Sequence, residues 1–248
     1  MLIPLLLLAQ IAAISHRGEH LAHPENTLPA FQAAIDAGAD FFELDVRTTS
    51  DGRLILMHDG TVNRTTNGKG AVRDMTFEQI RALDAGARFP EKFSGTKVPT
   101  LEEALNLARG RIGVYVDCKA IAPAALVEAL EKADMSAHVV IYGGAAFLKA
   151  VKSLRPDLLV MPEADSADQL TKMLADFSPR VIAFDAGDFK DDVIAVARRS
   201  GARIYVDRLG AADNPASWQD AIDRGAGGIQ TDHPAQLVEY LRAKKLHP

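Results

Sequence analysis

The stretch Phe41-Phe42-Glu43-Leu44-Asp45-Val46-Arg47-Thr48-Thr49-Ser50-Asp51-Gly52-Arg53-Leu54-Ile55-Leu56-Met57-His58 decides the fold. Phe41–Val46 and Leu54–Met57 both read as strands, but too few residues separate them for a parallel crossover, which takes a dozen or more. Asp51-Gly52 between them is a hairpin turn signal. The second run is therefore expected to return antiparallel, as an excursion beyond the end of the first. On either side the chain alternates differently. Strand-like runs at Ile11–His16, Val114–Cys118, Val139–Tyr142, Leu158–Met161, Val181–Phe184, Ile204–Val206 and Gly228–Thr231 are separated by helix-like ones. Those helical runs are Thr27–Ala37, Leu101–Ala108, Pro123–Ala133, Ala145–Leu154, Ala167–Phe177, Asp191–Ser200 and Ala216–Arg224. Such alternation specifies parallel βα units. With the excursion set aside, eight strands remain, which predicts an α/β (β/α)₈ TIM barrel with a small insertion after strand two.

Residues 59–99 form that insertion. Asn63–Pro99 is rich in Gly, Thr and charge, with a short helix expected at Thr76–Leu83. The whole of 1–248 is then expected to be one barrel domain with this segment over its mouth. A chain of 248 residues that is 48% hydrophobic can fill one large core. Its net charge of -5, with no long Lys/Arg stripe, argues against a nucleic-acid partner and leaves a small anionic substrate open. Cys118 is the only cysteine, so no disulfide can form within the chain.

Met1–Ala9 is Met-Leu-Ile-Pro-Leu-Leu-Leu-Leu-Ala. It reads either as a truncated secretory signal or as a buried plug beneath the barrel. The first reading is favoured because cleavage near Gln10 leaves the strand Ile11–Ser15 intact. It points to an exported or periplasmic protein. No other stretch is expected to span a membrane.

The chemistry gathers in the first half of the chain. Glu43 and Asp45 are two apart on a strand and so face one side. Two carboxylates in an apolar strand need a partner. That partner is either a hard cation such as Mg²⁺ or Ca²⁺, or a basic side chain in a structural ion pair. Asp117, at the end of its strand, offers a third carboxylate, and Lys119 a phosphate contact. His16 and His58 each close a strand-like run, and the hairpin brings His58 back towards Glu43 and Asp45. Histidine is the side chain best suited to exchange protons near neutral pH. Arg17 supplies a fixed positive charge. This is the set that phosphoester hydrolysis needs. Asp59 could orient a histidine or cap the following loop. His20, His23, His138, His233 and His247 read as solvated residues, Cys118 faces away from Asp117, and Arg64 reads as turn chemistry.

These residues resemble the glycerophosphodiester phosphodiesterase family. The match runs through His16-Arg17-Gly18, Pro24-Glu25-Asn26-Thr27, Glu43-Leu44-Asp45-Val46, Asp51-Gly52, His58-Asp59 and Arg64-Thr65-Thr66-Asn67-Gly68. It continues through Leu83-Asp84-Ala85-Gly86, Pro99-Thr100-Leu101-Glu102-Glu103 and Gly228-Ile229-Gln230-Thr231-Asp232. The resemblance implies a (β/α)₈ barrel and divalent-cation-dependent hydrolysis of glycerophosphodiesters to glycerol 3-phosphate and an alcohol. It implies catalysis by His16 and His58, metal binding by Glu43 and Asp45 with Asp117 as third ligand, and phosphate binding by Arg17. The chain departs from the family twice. Asp117-Cys118-Lys119 stands where the family has Glu-x-Lys, and Tyr205-Val206-Asp207 where it has Trp-Thr-Val, a run that helps wall the substrate pocket. Two alternatives follow from these departures: a phosphodiesterase acting on another lipid or head group, of lysophospholipid type, or a barrel that binds glycerophosphodiesters without turnover.

Overall fold

The computed structural model describes residues 11–248. The signal-like run Met1–Ala9 lies outside them. Nine strands among the described residues form one sheet. Eight of them are parallel neighbours: β1 (Ala12–Ser15), β2 (Phe41–Thr48), β4 (Gly113–Ala120), β5 (Val139–Tyr142), β6 (Leu159–Met161), β7 (Val181–Phe184), β8 (Arg203–Arg208) and β9 (Gly228–Thr231). Helices α1 (Leu28–Asp36), α3 (Leu101–Ala108), α4 (Pro123–Lys132), α5 (Ala145–Leu154), α6 (Ala167–Phe177), α7 (Asp191–Ser200), α8 (Pro215–Asp223) and α9 (Pro234–Ala243) cover its outer face. The sheet curls until β6 faces β7. The two share no ladder there, only a bridge between Glu163 and Ala183, with the Ala183 N–H donating to the Pro162 carbonyl at 2.9 Å. Proline has no N–H with which to continue the pairing. The arrangement is the expected (β/α)₈ barrel.

The excursion also forms as the hairpin signal demands. The ninth strand, β3 (Leu54–Leu56), pairs antiparallel with the end of β2, Val46 opposite Leu56 and Thr48 opposite Leu54. The segment after it carries a short helix, α2 (Phe77–Arg81), closed by a capping box between Thr76 and Gln79. Its apolar residues Val62, Val72, Ile80, Ala85 and Val98 gather with Ile55 and Met57 into a small core of their own.

Position along the strands sets the polarity inside the barrel. Inward-facing residues recur every second position. At the lower level they are apolar: Ile14, Phe41, Tyr115, Val140, Met161 and Tyr205 fill the barrel. Gly228 has to be glycine here, since a Cβ would lie 2.5 Å from the Tyr205 ring. Two residues further along the same strands, the inward positions turn polar at His16, Glu43, Asp117 and Asp207. The lower layer is thus a floor and the polar layer opens upward, at the carboxyl ends of the strands, where barrel active sites lie. The alternate residues, Phe42, Leu44, Val46, Val114 and Val116 among them, point outward and pack under the helices. Cys118 belongs to that outer layer.

Two histidines depart from expectation. His247 is not solvated: its Nε2 lies 2.9 Å from Asp40 and its side chain is 4% exposed, tying the carboxyl terminus to the base of the barrel. His20 is likewise drawn inward, towards the site described next. Among the described residues no helix is long and apolar enough to cross a membrane.

Candidate active site

The seven residues singled out from sequence all line one cleft at the open end of the barrel, about 290 Å³ in volume: His16, Arg17, Glu43, Asp45, His58, Asp117 and Lys119. Register explains the convergence. Glu43 pairs with Tyr115 and Asp45 with Asp117 across β2 and β4, so the three carboxylates stack on adjacent strands. One oxygen from each falls within 4.8 Å of the others. Glu43 and Asp45 are buried.

That concentration of negative charge is poorly compensated by the protein. Burial pushes the Glu43 carboxyl well above its usual range, and the charges of Asp45 and Asp117 push it further. Asp117 is raised to about 6, by burial first, with Lys119 opposing and Asp45 adding to the shift. Lys119 sits 2.7 Å from Asp117 and 3.3 Å from Asp45. A tight group of hard oxygen donors short of positive charge fits a divalent cation. The group could hold such an ion.

The loop after β1 places the rest. Gly18 has φ +76, and a Cβ there would lie 2.6 Å from the Ala30 backbone, so only glycine allows this turn. The turn aims the Arg17 N–H at Glu43, 2.8 Å away, while the Arg17 side chain reaches Glu25 at 3.2 Å. Asn26 grips Asp45 twice: its amide donates to the carboxylate at 2.7 Å and its carbonyl oxygen accepts the Asp45 N–H at 3.0 Å. This is the structural content of Pro24-Glu25-Asn26-Thr27, which carries no catalytic signal when read alone.

Each histidine is held by a carboxylate through Nδ1. His16 Nδ1 lies 2.8 Å from Asp232, and His58 Nδ1 lies 2.9 Å from Asp59. In a neutral ring, Nδ1–H donating to the carboxylate leaves the Nε2 lone pair free. Burial lowers the His16 pKa, outweighing the opposing effect of the hydrogen bond that Nδ1–H donates to Asp232, and so favours the neutral ring. The Asp232 carboxyl is lowered to about 2: burial would raise it, but the His16 bond and the Gly210 N–H hold it down. Arg47 donates to the carbonyls of Met57 and His58 and so fixes the end of the hairpin.

Several residues here escaped the sequence reading. Arg64 is more than turn chemistry. It bridges Asp59 at 2.9 Å and Glu25 at 2.6 Å, completing a chain of ion pairs from Arg17 to His58. His20 donates from Nδ1 to the His16 carbonyl at 2.8 Å and places Nε2 3.6 Å from Asp232. Asp232 itself lies 216 positions from His16, and only its place at the end of the last strand hints at a role. Tyr205 does not wall the cleft as its motif suggests. It lies in the floor against Phe41, and Asp207 lines the cleft instead.

Behind Asp232 stands Asp213. It accepts from Trp218 Nε1 at 2.7 Å, from the Thr231 hydroxyl at 2.8 Å and from the Asp232 N–H at 2.5 Å. Asp213→Ala leaves three donors without a partner in a buried setting. The expected cost is about 2–4 kcal/mol of stability, read by urea unfolding. A loss under about 0.5 kcal/mol would contradict this network.

Comparison with known proteins follows the same lines. Residues 16–236 match the model of the glycerophosphoryl diester phosphodiesterase family. A glycerophosphodiester phosphodiesterase of Caldanaerobacter subterraneus subsp. tengcongensis is 32% identical over 243 residues, covering 92% of this chain and 97% of that protein. The crystal structure of a glycerophosphodiester phosphodiesterase from Agrobacterium tumefaciens superposes with TM-score 0.82 at 32% identity, covering 91% of this chain and 97% of that one. An Oleispira antarctica phosphodiesterase, solved in complex with the product sn-glycerol-3-phosphate, shares the fold at 21% identity and TM-score 0.84, covering 95% of this chain and 97% of that one. The chain belongs to the glycerophosphoryl diester phosphodiesterase family.

Proposed function

We propose that the protein hydrolyses glycerophosphodiesters to glycerol 3-phosphate and an alcohol, using His16 and His58 as its acid–base pair. The observation that carries this reading is the convergence of both carboxylate-tethered histidines on the cleft that holds Glu43, Asp45 and Asp117. Those three carboxylates would hold a hard divalent cation, Mg²⁺ or Ca²⁺. Such an ion, when bound, neutralises charge developing on phosphate oxygens.

The side chains divide the remaining work. Arg17 and Lys119 face the phosphate as fixed cations. His16, neutral and with Nε2 free, accepts the proton of the glycerol 2-hydroxyl as that oxygen attacks phosphorus. His58 donates a proton to the departing alcohol oxygen, leaving a cyclic phosphate. Water then opens the ring with the two roles exchanged, and glycerol 3-phosphate leaves.

Asp117 tests the cation assignment within this reading. Asp117→Asn removes one negative ligand, and the cation concentration needed for half-maximal turnover should rise by about 10-fold or more. Asp117→Glu restores the longer side chain of the family and should retain turnover with cation affinity equal or tighter. Cation titration of activity in both variants is the measurement. Unchanged cation dependence in Asp117→Asn would remove Asp117 from the ligand set.

A further inference from the structure

The wall of the cleft opposite the Glu43–Asp45–Asp117 group is also acidic. Around the barrel, β7 and β8 lie across from β2 and β4. Glu163 follows β6, Asp185 follows β7 and Asp207 lies near the end of β8, and all three line the same cleft. Glu163 accepts a hydrogen bond from the Tyr142 hydroxyl. Asp185 sits at the exposed rim and accepts the Gly187 and Asp188 N–H groups at 2.7 and 3.0 Å. Asp207 accepts none from any described residue, and Lys119, Lys190 and Arg208 are paired elsewhere, with Asp117, Asp188 and Asp220. Gln230 pairs in register with Asp207 on the adjacent strand. It is only 5% exposed, lines the cleft, and its Oε1 has no hydrogen-bond donor.

A buried acceptor without a donor and carboxylates without a cation both ask for the same kind of ligand. The carboxylates of this wall are not gathered within 4.8 Å of one another as those of Glu43, Asp45 and Asp117 are, so they suit a larger group than a bare metal ion. The ligand must present positive charge to Asp207 and Glu163 and N–H hydrogens to Gln230 and the carboxylates. It would belong to the same substrate whose phosphate Arg17 and Lys119, in the proposed reaction, would face across this cleft.

Resting on the proposed diesterase activity, we infer that Asp207, Glu163 and Gln230 form a subsite for a leaving alcohol carrying a protonated amine, so that the preferred substrates are glycerophosphodiesters of ethanolamine-type amino alcohols. An ammonium with N–H groups satisfies all three side chains, whereas a trimethylammonium gives Gln230 no donor and a neutral polyol gives the carboxylates no charge. Asp207 bears the mark of a missing partner. Burial first, and then the charges of Glu163, Asp185, Asp117 and Asp232, raise it to about 8.

The test compares kcat/KM for glycerophosphoethanolamine, glycerophosphocholine and glycerophosphoglycerol in the wild type, Asp207→Asn and Glu163→Gln. In the wild type the ethanolamine diester is expected to exceed the glycerol diester by roughly 10–100-fold, the usual worth of a desolvated charge pair, and to exceed the choline diester. Asp207→Asn should bring the ethanolamine-to-glycerol ratio close to one, and Glu163→Gln should lower it. A wild-type ratio near one, a choline diester cleaved as fast as the ethanolamine diester, or a ratio untouched in both variants would overturn the subsite while leaving the diesterase activity intact. If no diester is hydrolysed, the activity reading fails first. Calorimetry with ethanolamine alone then decides the subsite: saturable binding to the wild type that is lost in Asp207→Asn supports it, and no binding overturns it.

Discussion

Replacing His16 with alanine is expected to lower kcat by roughly 10²–10⁴-fold, the range for loss of a positioned acid–base group. His58→Ala should fall in the same range. The effect is large because each ring is oriented by its own carboxylate, Asp232 at 2.8 Å and Asp59 at 2.9 Å, and no other imidazole lines the cleft among the described residues. The pH profile carries the sign of the His16 environment. Burial disfavours the imidazolium and lowers the pKa from 6.5. At saturating cation, the base form therefore persists below pH 6.5, and kcat/KM should hold until the pH falls through the lowered value. An acid limb assigned to His16 but centred above 6.5 would contradict this environment. Near wild-type turnover in His58→Ala would remove the hairpin from the chemistry.

Glu43→Gln is expected to produce the second large effect, with a direction that reverses with conditions. Glu43 is buried beside two other carboxylates. With a divalent cation present, removing its charge should weaken cation affinity by about 100-fold or more, since changes even in groups behind a metal ligand cost 10–100-fold. In EDTA the same substitution removes a buried like charge, so the melting temperature should rise relative to wild type. Thermal unfolding with and without cation reads both halves. A variant less stable than wild type in EDTA would mean that Glu43 is satisfied by the protein alone.

The barrel was legible because its signals are local. Helices α3, α5, α6 and α7 begin and end where the sequence indicates. Thr100 and Glu103 form a capping box at the start of α3, Ser166 caps α6, and Gly201 stops α7 in the left-handed conformation. Asp51-Gly52 gave the hairpin for the same reason. The strand ends were harder to see. β8 runs on to Arg208, whose charge hides it as a strand residue, yet it is 5% exposed with its guanidinium against Asp220. The last helix, α9, was not anticipated.

Within the site, the candidate residues for the chemistry are visible in the sequence by type and by their place at strand ends, and they line one cleft. The residues that hold them are not visible in that way. Asp232 reaches His16 from the far end of the chain, and Arg64 reaches Glu25 across the insertion. Such pairings depend on barrel closure, which no window of sequence contains. Tyr205-Val206-Asp207 stands out in the sequence as a departure, but which of its residues reaches the cleft does not. The alternation that separates floor from cleft places both Tyr205 and Asp207 on the inner face, and only the height of the apolar floor tells them apart.

The most direct test of the central claim is to identify the products. Purified protein incubated with a glycerophosphodiester and Mg²⁺ or Ca²⁺ is followed by ³¹P NMR, with a parallel sample in excess EDTA. A single final phosphomonoester, glycerol 3-phosphate, is expected together with free alcohol, formed only where the cation is available. Appearance of the alcohol's phosphate with free glycerol, or undiminished turnover in EDTA from protein shown to be metal-free, would contradict it.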